Sequence, residues 1–394
     1  MSCLIASVWI GGLFLFVEAL LPHPFMIGLQ VAAASNLPET ICGRQGAGTP
    51  APAASLVLVG DVMPARNLSP YSEYDPRPLD WNFLFDQAKP YIADADIAFC
   101  NLESPISGRG KRVGKEFSFN APPEAAKALR DLGFDVVSLA NNHCLDFGPE
   151  ALADTRANLD ANGVMYAGIA EAKAAQRPAI IERGGVKVAF LGYITANVSP
   201  GEFNSQHPGP ARAIEEGIAA DIAKVRNDVD IVVVSLHWGM DYTTSPSAEQ
   251  RAFGRALIDA GADIIAGHHP HVQQDPEFYH GGLIIYSMGN FVFATYSKPP
   301  ARKTRLYRVR VTRKGIESAD YLPFEIAEGT GQVAPVSKAF VPLTRPGGLE
   351  PRRTPARRVA EPMETLLAAG RSLDLFLSEC LCKSQETTDD RTTN

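Results

Sequence analysis

Five short apolar runs, each ending in a residue able to bind a metal or move a proton, constrain this chain more than any other feature. Ser55-Leu-Val-Leu-Val59 runs into Gly60-Asp61-Val62-Met63, and Asp96-Ile-Ala-Phe-Cys100 into Asn101-Leu102-Glu103. Phe134-Asp-Val-Val-Ser-Leu139 delivers Ala140-Asn141-Asn142-His143, Ile231-Val-Val-Val-Ser-Leu236 delivers His237, and Gly261-Ala-Asp-Ile-Ile-Ala266 delivers Gly267-His268-His269-Pro270-His271. Runs of this length and β-branched content are the pattern of buried parallel strands. In open α/β sheets, ligands bind beyond the carboxyl ends of the strands. Asp61, Glu103, Asn142, His143, His237, His269 and His271 are therefore expected in one place. Singly each signal is weak, because an Asp after a strand is commonly a helix cap and an Asn a turn residue. Recurrence at every strand end is what points to a site.

The turn at Gly267–His271 is the densest part of the pattern: the chain has 8 histidines, and His268, His269 and His271 are three of them. Imidazole is the commonest side-chain ligand for transition metals. Two carboxylates, one carboxamide oxygen and three imidazoles form a ligand set for two divalent ions of the Mn, Zn, Fe or Mg kind, with one carboxylate free to bridge. Such ions would lie ~3.5 to 4 Å apart.

Between the motifs, helical periodicity recurs at Pro122 to Leu132, Pro149 to Asn162, Ile214 to Asn227 and Ala248 to Ala260. Two hairpins interrupt it, Ala179 to Phe190 around Gly184-Gly185 and Phe278 to Tyr286 around Gly281-Gly282. A third antiparallel pair, Leu306 to Thr312 and Ile316 to Phe324, reads as a sheet edge. Alternation of this kind implies helices covering mixed sheets. His207 and His280 fall in turns and are read as structural.

The ordered motifs Gly60-Asp61-Val62-Met63, Asn101-Leu102-Glu103, Ala140 to His143 with Asp146 and Gly148, His237-Trp238-Gly239, His269-Pro270-His271 and Ser287-Met288-Gly289-Asn290-Phe291 resemble the CapA family. These are the bacterial poly-γ-glutamate capsule biosynthesis proteins, and their fold is similar to the calcineurin-like, metallo-dependent phosphatases. The resemblance covers roughly residues 55 to 326 and implies a four-layer αββα sandwich with mixed sheets. It implies Asp61 as a first-site carboxylate, Glu103 in the bridging position, Asn142 and His237 at the second site, and His269 and His271 completing the two. His143 is implied as the catalytic histidine, oriented by Asp146. Arg66 and Asn290 are the candidate substrate-binding residues, and His268 reads as a support to its neighbours. One departure stands out: the family fold's histidine two residues after the first Asp is Met63 here, and a thioether is a poor ligand for such ions.

Hydrophobic residues at 45% and charged residues at 21% mark a globular chain, and a net charge of −7 gives no basic footprint for nucleic acid. Residues 1–34 read as a signal peptide or N-terminal membrane anchor: Leu4 to Leu21 is apolar apart from Ser7 and Glu18, and Val31-Ala32-Ala33-Ala34-Ser35 supplies a cleavage pattern, although no Lys or Arg precedes Arg44. Residues 35–54 read as a flexible lead-in and 55–326 as the metallophosphatase-like domain. Residues 327–394 read as a Pro/Arg-rich linker with one helix over Met363 to Leu381 and a disordered tail. Among the 6 cysteines, Cys100 reads as core filler and Cys144 as a chance neighbour of His143.

The expectation is an exported protein, periplasmic, at the cell surface or anchored facing outward, that acts on an anionic or cell-wall polymer by metal-assisted hydrolysis or transfer. Two alternatives remain. One is a non-catalytic, membrane-associated partner of polymer synthase subunits, the other a general periplasmic metallophosphoesterase.

Overall fold

The computed structural model describes residues 9–10, 13–14, 51–64, 80–115, 117–171, 176–198, 207–293, 299–328 and 330–344. The cleavage pattern, Arg66 and the helix expected over Met363 to Leu381 lie outside the described residues. Within residues 1–50, Trp9–Ile10 pairs antiparallel with Leu13–Phe14. No helix among the described residues is long and apolar enough to cross a membrane.

The second unit, from Ala51 on, contains two large sheets. The nine-stranded one contains β1 (Ala53–Val62), β2 (Ile97–Leu102), β3 (Val136–Ser138) and β4 (Met165–Ala167) as parallel neighbours. The six-stranded sheet is built on the hairpin β5 (Ala179–Arg183) and β6 (Val186–Ile194), followed by β7 (Ile231–His237) and β8 (Ile264–His268), with β6, β7 and β8 parallel. The hairpin β9 (Glu277–Tyr279) and β10 (Gly282–Ile285) closes its far edge, β10 running parallel to β8. Both sheets are mixed, and both expected glycine-centred hairpins form.

β11 (Asn290–Val292) then crosses to the nine-stranded sheet and pairs parallel with the end of β1 on the side away from β2, while β12 (Lys303–Thr312) pairs antiparallel with the start of β1 along that same side and with β13 (Gly315–Ile326). The β12–β13 pair is not the edge expected from the sequence, because the sheet does not stop at residue 326. β14 (Val333–Pro335) and the two residues Val341–Pro342 also pair with β13, so the described domain reaches Thr344. Pro335 and Pro342 are tolerated there because an edge strand can face one side without donating to a ladder.

Period-two alternation sorts the side chains into layers. Leu56, Leu58, Ile97, Phe99 and Val309 meet Phe190, Ile231, Val233, Ile264 and Ile285 between the sheets, where Phe99 stacks on Phe190 at 5.3 Å. Val57, Val59, Ala98 and Val137 face the other way and pack on the helices α1 (Trp81–Phe85), α2 (Lys89–Ala93), α3 (Glu124–Leu132) and α4 (Gly148–Ala161). Val232, Val234 and Ile265 face α5 (Glu215–Arg226) and α6 (Ala248–Asp259). α6 starts at a capping box in which Ser247 and Gln250 satisfy each other's backbone N–H groups. The layers are helices, sheet, sheet, helices: the αββα sandwich that the resemblance implied.

Candidate metal centre

The alternation that buries Ile97 and Phe99 between the sheets continues to Asn101 and Glu103, which places both polar side chains on the same inward face at the end of β2. On β7, Ile231 and Val233 lead in the same way to His237, and on β8, Ile264 and Ala266 lead to His268. β1 breaks the rule. Val57 and Val59 face the helices, so strict alternation would send Asp61 there too, but its register against β2 shifts between Leu58 and Asp61. The irregularity turns Asp61 inward and Val62 outward, the re-aiming that a bulge produces. Gly60 permits it, since a Cβ there would lie 1.8 Å from the Gly289 carbonyl oxygen.

Donor atoms of Asp61, Glu103 and His271 lie within 4.8 Å of one another, as do those of Asp241, His269 and His271. Asn142 Oδ1 is 2.9 Å from His237 Nε2, and that nitrogen is 3.7 Å from Glu103 Oε1. Asn101 Nδ2 donates to Asp61 Oδ1 at 2.9 Å and lies 3.3 Å from Glu103 Oε2. His268 Nδ1 donates to the same Asp61 oxygen at 3.0 Å. His269 and His271 adopt φ values of 95° and 59°, left-handed conformations that non-glycine residues reach at a cost and that recur at functional sites.

Burial pushes the Glu103 carboxyl well above the ordinary value, and the neighbouring Asp61 adds to the effect. For Asp61, burial also acts upward but is outweighed by the hydrogen bond and charge of His268 and by His271, which hold it low. Burial, then the neighbouring imidazoles, drives His237 far down, and burial with His271 brings His269 to about 4. Two fully buried carboxyl groups beside His237 and His269, whose imidazoles burial keeps neutral, are an environment that suits a cation. Glu103 Oε1 and His269 Nδ1 are buried with no hydrogen-bond partner, so donor atoms stand ready at the cluster. The residues present fit a divalent metal.

His143 sits at the rim, its ring 4.4 Å from that of Phe119. Its Nδ1 is 2.7 Å from Asp146 Oδ2, as the orienting role of Asp146 requires. Asp146 also accepts from the Phe119 N–H and pairs with Lys115, whose Nζ donates to the Asn142 carbonyl at 2.7 Å. Burial lowers His143 against the opposing pull of Asp146.

Six expected metal residues, Asp61, Glu103, Asn142, His237, His269 and His271, thus converge with His143 and Asp146. Met63 does not: its side chain is buried in the apolar layer under the helices. Asn290 is fully buried: its Oδ1 is 2.8 Å from His271 Nδ1 and its Nδ2 donates to the Ala301 carbonyl, contacts that hold a histidine ring in place. His280 is paired with Asp259 in its hairpin turn, away from the cluster's hydrogen bonds. Sequence reasoning missed Asn101, which period two would have placed beside Glu103, and also Lys115 and Asp241, which lie in loops with no periodic signal.

Comparison with known proteins adds three relatives. The chain is 32% identical to a capsule biosynthesis protein CapA of Bacillus anthracis over 73% of this chain and 70% of that protein. It is 33% identical to the PGA biosynthesis protein CapA of Bacillus subtilis over 72% and 74%. It is 31% identical to a probable polyglutamine synthesis accessory protein of Mycobacterium tuberculosis over 55% and 61%. Among solved structures, the calcineurin-like phosphoesterase YfkN of Bacillus subtilis aligns over 77% of this chain and 94% of that one at 15% identity and a TM-score of 0.37; the layers seen directly, not that alignment, define the fold. The model of the bacterial capsule synthesis protein PGA_cap matches residues 55–295, well over half of the 394 residues, and with the two CapA relatives it shows that the chain belongs to that family.

Proposed function

We propose that this protein acts in the synthesis or processing of an extracellular anionic polymer of the poly-γ-glutamate kind, through a divalent-metal centre that supports hydrolysis or transfer. The observation that carries this reading is the buried Asp61–Glu103–His271 cluster with an unpartnered Glu103 oxygen. The names of the CapA relatives supply the polymer. We further propose that the chain is exported, on the basis of its apolar N-terminal stretch and Ala-x-Ala pattern.

Asp61, Glu103 and His271 would hold one ion and Asn142, His237, His269 and Glu103 a second. Bound there, divalent ions supply Lewis acidity toward a substrate oxygen. The remaining work falls to side chains. A carboxylate only accepts, so Asp146 fixes the His143 proton on Nδ1 and leaves Nε2 as the atom that takes or delivers a proton at the leaving group. Lys115 neutralises Asp146 and ties it to the backbone beside Asn142. Phe119 and Phe293 pack against His143 and His271 and shield the rim from water.

A second reading is favoured by Met63: with its thioether buried elsewhere, the first site has one imidazole fewer than the family fold provides, which suits a non-catalytic partner of a polymer synthase. The deciding experiment is metal content of the purified full chain, followed by chain-length analysis of poly-γ-glutamate, and release of phosphate from a diester, before and after chelation. Metal-dependent shortening of the polymer supports the first reading. Bound metal without cleavage of either substrate selects the second.

A further inference from the structure

Asp241 belongs to none of the recurring strand-end motifs, yet it touches the centre. Its Oδ1 lies 3.3 Å from His269 Nε2. The loop carrying it is fastened to the His-Pro-His turn: the Tyr242 N–H donates to the Pro270 carbonyl at 2.8 Å, and Gln274 Nε2 donates to the Thr243 carbonyl at 2.8 Å. Gly239 and Tyr242, on either side of Asp241, both adopt left-handed conformations, with φ of 90° and 59°. The backbone at Asp241 is thus shaped and tied, unlike that of a chance surface acid.

The two ring nitrogens of His269 have opposite surroundings. Nε2 faces the Asp241 carboxylate, whereas Nδ1 is buried with no hydrogen-bond partner, in a residue only 7% exposed. A carboxylate cannot donate, so in the neutral ring the proton sits on Nε2 and the Nδ1 lone pair points into the protein. At His271, Nδ1 meets the Asn290 amide oxygen at 2.8 Å, which fixes the proton of the neutral ring on Nδ1. One nitrogen facing a carboxylate oxygen and the other bare is the arrangement of a metal-ligating histidine with its supporting carboxylate.

We propose that Asp241 is a positioning residue of the metal centre, holding His269 as the Nε2-protonated form that presents Nδ1 to an ion. The inference rests on the metal-centre reading above and adds to it a residue from the His237-Trp238-Gly239 loop.

The test uses the full chain, with Mn²⁺ as the titrated probe and ¹⁵N-histidine NMR on the metal-free protein. Because the Asp241 side chain is 56% exposed, Asp241→Ala leaves the fold intact. Asp241→Ala is expected to weaken Mn²⁺ binding about 10- to 100-fold and to move the His269 nitrogen shifts toward a mixture of the two ring forms. Asp241→Glu, which keeps an acceptor on a longer arm, restores most of both. Binding by Asp241→Ala within about twofold of wild type, with unaltered His269 shifts, would overturn the proposal. Loss of one whole ion at saturating Mn²⁺ would also overturn it, by making Asp241 a ligand in its own right. A wild-type chain that binds no Mn²⁺ would sink this inference and the metal-centre reading together. One that binds Mn²⁺ but cleaves neither substrate would count against catalysis alone and leave Asp241 in its role.

Discussion

Asn142 and His237, 95 residues apart, meet across the sandwich: Asn142 Oδ1 lies 2.9 Å from His237 Nε2. Asn142 follows β3 in one sheet and His237 ends β7 in the other, so the contact joins the two sheets at their common carboxyl end. A centre assembled from both sheets couples metal binding to the stability of the whole domain. A divalent ion that binds the folded chain alone, at 100 times its dissociation constant, adds about 2.7 kcal/mol. Excess Mn²⁺ should therefore raise the melting temperature by several degrees and a chelator should reverse the rise. Asn142→Ala should shrink the effect; melting curves that ignore both metal and chelator would count against the site.

Glu103 carries a second prediction, with a sign. Its folded-state pKa is raised by burial and Asp61, so between the ordinary value of 4.5 and the raised one the folded chain holds a proton that the unfolded chain has lost. Stability contributed by this group is present below 4.5 and falls as pH rises through that window. Glu103→Gln removes the dependence. In chelator, the difference in stability between wild type and Glu103→Gln should tilt against the wild type as pH increases from 4.5 to 7, while the variant loses Mn²⁺ affinity. A flat difference over that range would contradict the buried-carboxylate account.

Much of this site was legible in the residues, and the failures have physical causes. Asn101 and Glu103 follow from the alternation begun at Ile97, and His237 from the one begun at Ile231. Asp61 was found by its motif alone: period two from Val57 would have sent it under the helices, and only the register shift after Leu58 turns it inward. That Asn290 meets His271 and the Ala301 carbonyl was not legible, because a motif gives no direction. Asp241 and Lys115 lie in loops placed by tertiary hydrogen bonds that no sequence period encodes. The extra strands at Val333–Pro335 and Val341–Pro342 were hidden by their prolines, which edge positions accept.

Cys144 adjoins His143 and invites a nucleophile assignment that its surroundings refuse. Burial, with Asp146, pushes the thiol up to about 12. At pH 8 only about one molecule in ten thousand would carry the reactive thiolate. Peptide mapping after iodoacetamide treatment of the native chain should find Cys144 unlabelled, and labelled once the chain is denatured. Cys144→Ala should keep Mn²⁺ affinity and cost about 1 kcal/mol of stability through lost packing. Rapid native labelling, or loss of metal in the variant, would reopen the case for this thiol.

Asp146 and His143 separate fold from chemistry. Asp146 is fully buried and is met at once by His143, Lys115 and the Phe119 N–H, so Asp146→Ala strands a cation and a backbone donor. Removing one member of such a buried network costs about 3 to 5 kcal/mol. His143 donates into that network but none of the Asp61, Glu103 and His271 donor cluster depends on it. His143→Ala should therefore bind Mn²⁺ with unchanged affinity, while melting below wild type because Asp146 loses one of its buried partners. If the centre is catalytic, the same variant should lose about 10²- to 10⁴-fold in turnover, the range of a removed general acid. Turnover surviving in His143→Ala would move the proton-transfer role to another group, with Tyr242, which packs 5.9 Å from the His271 ring, the next to replace.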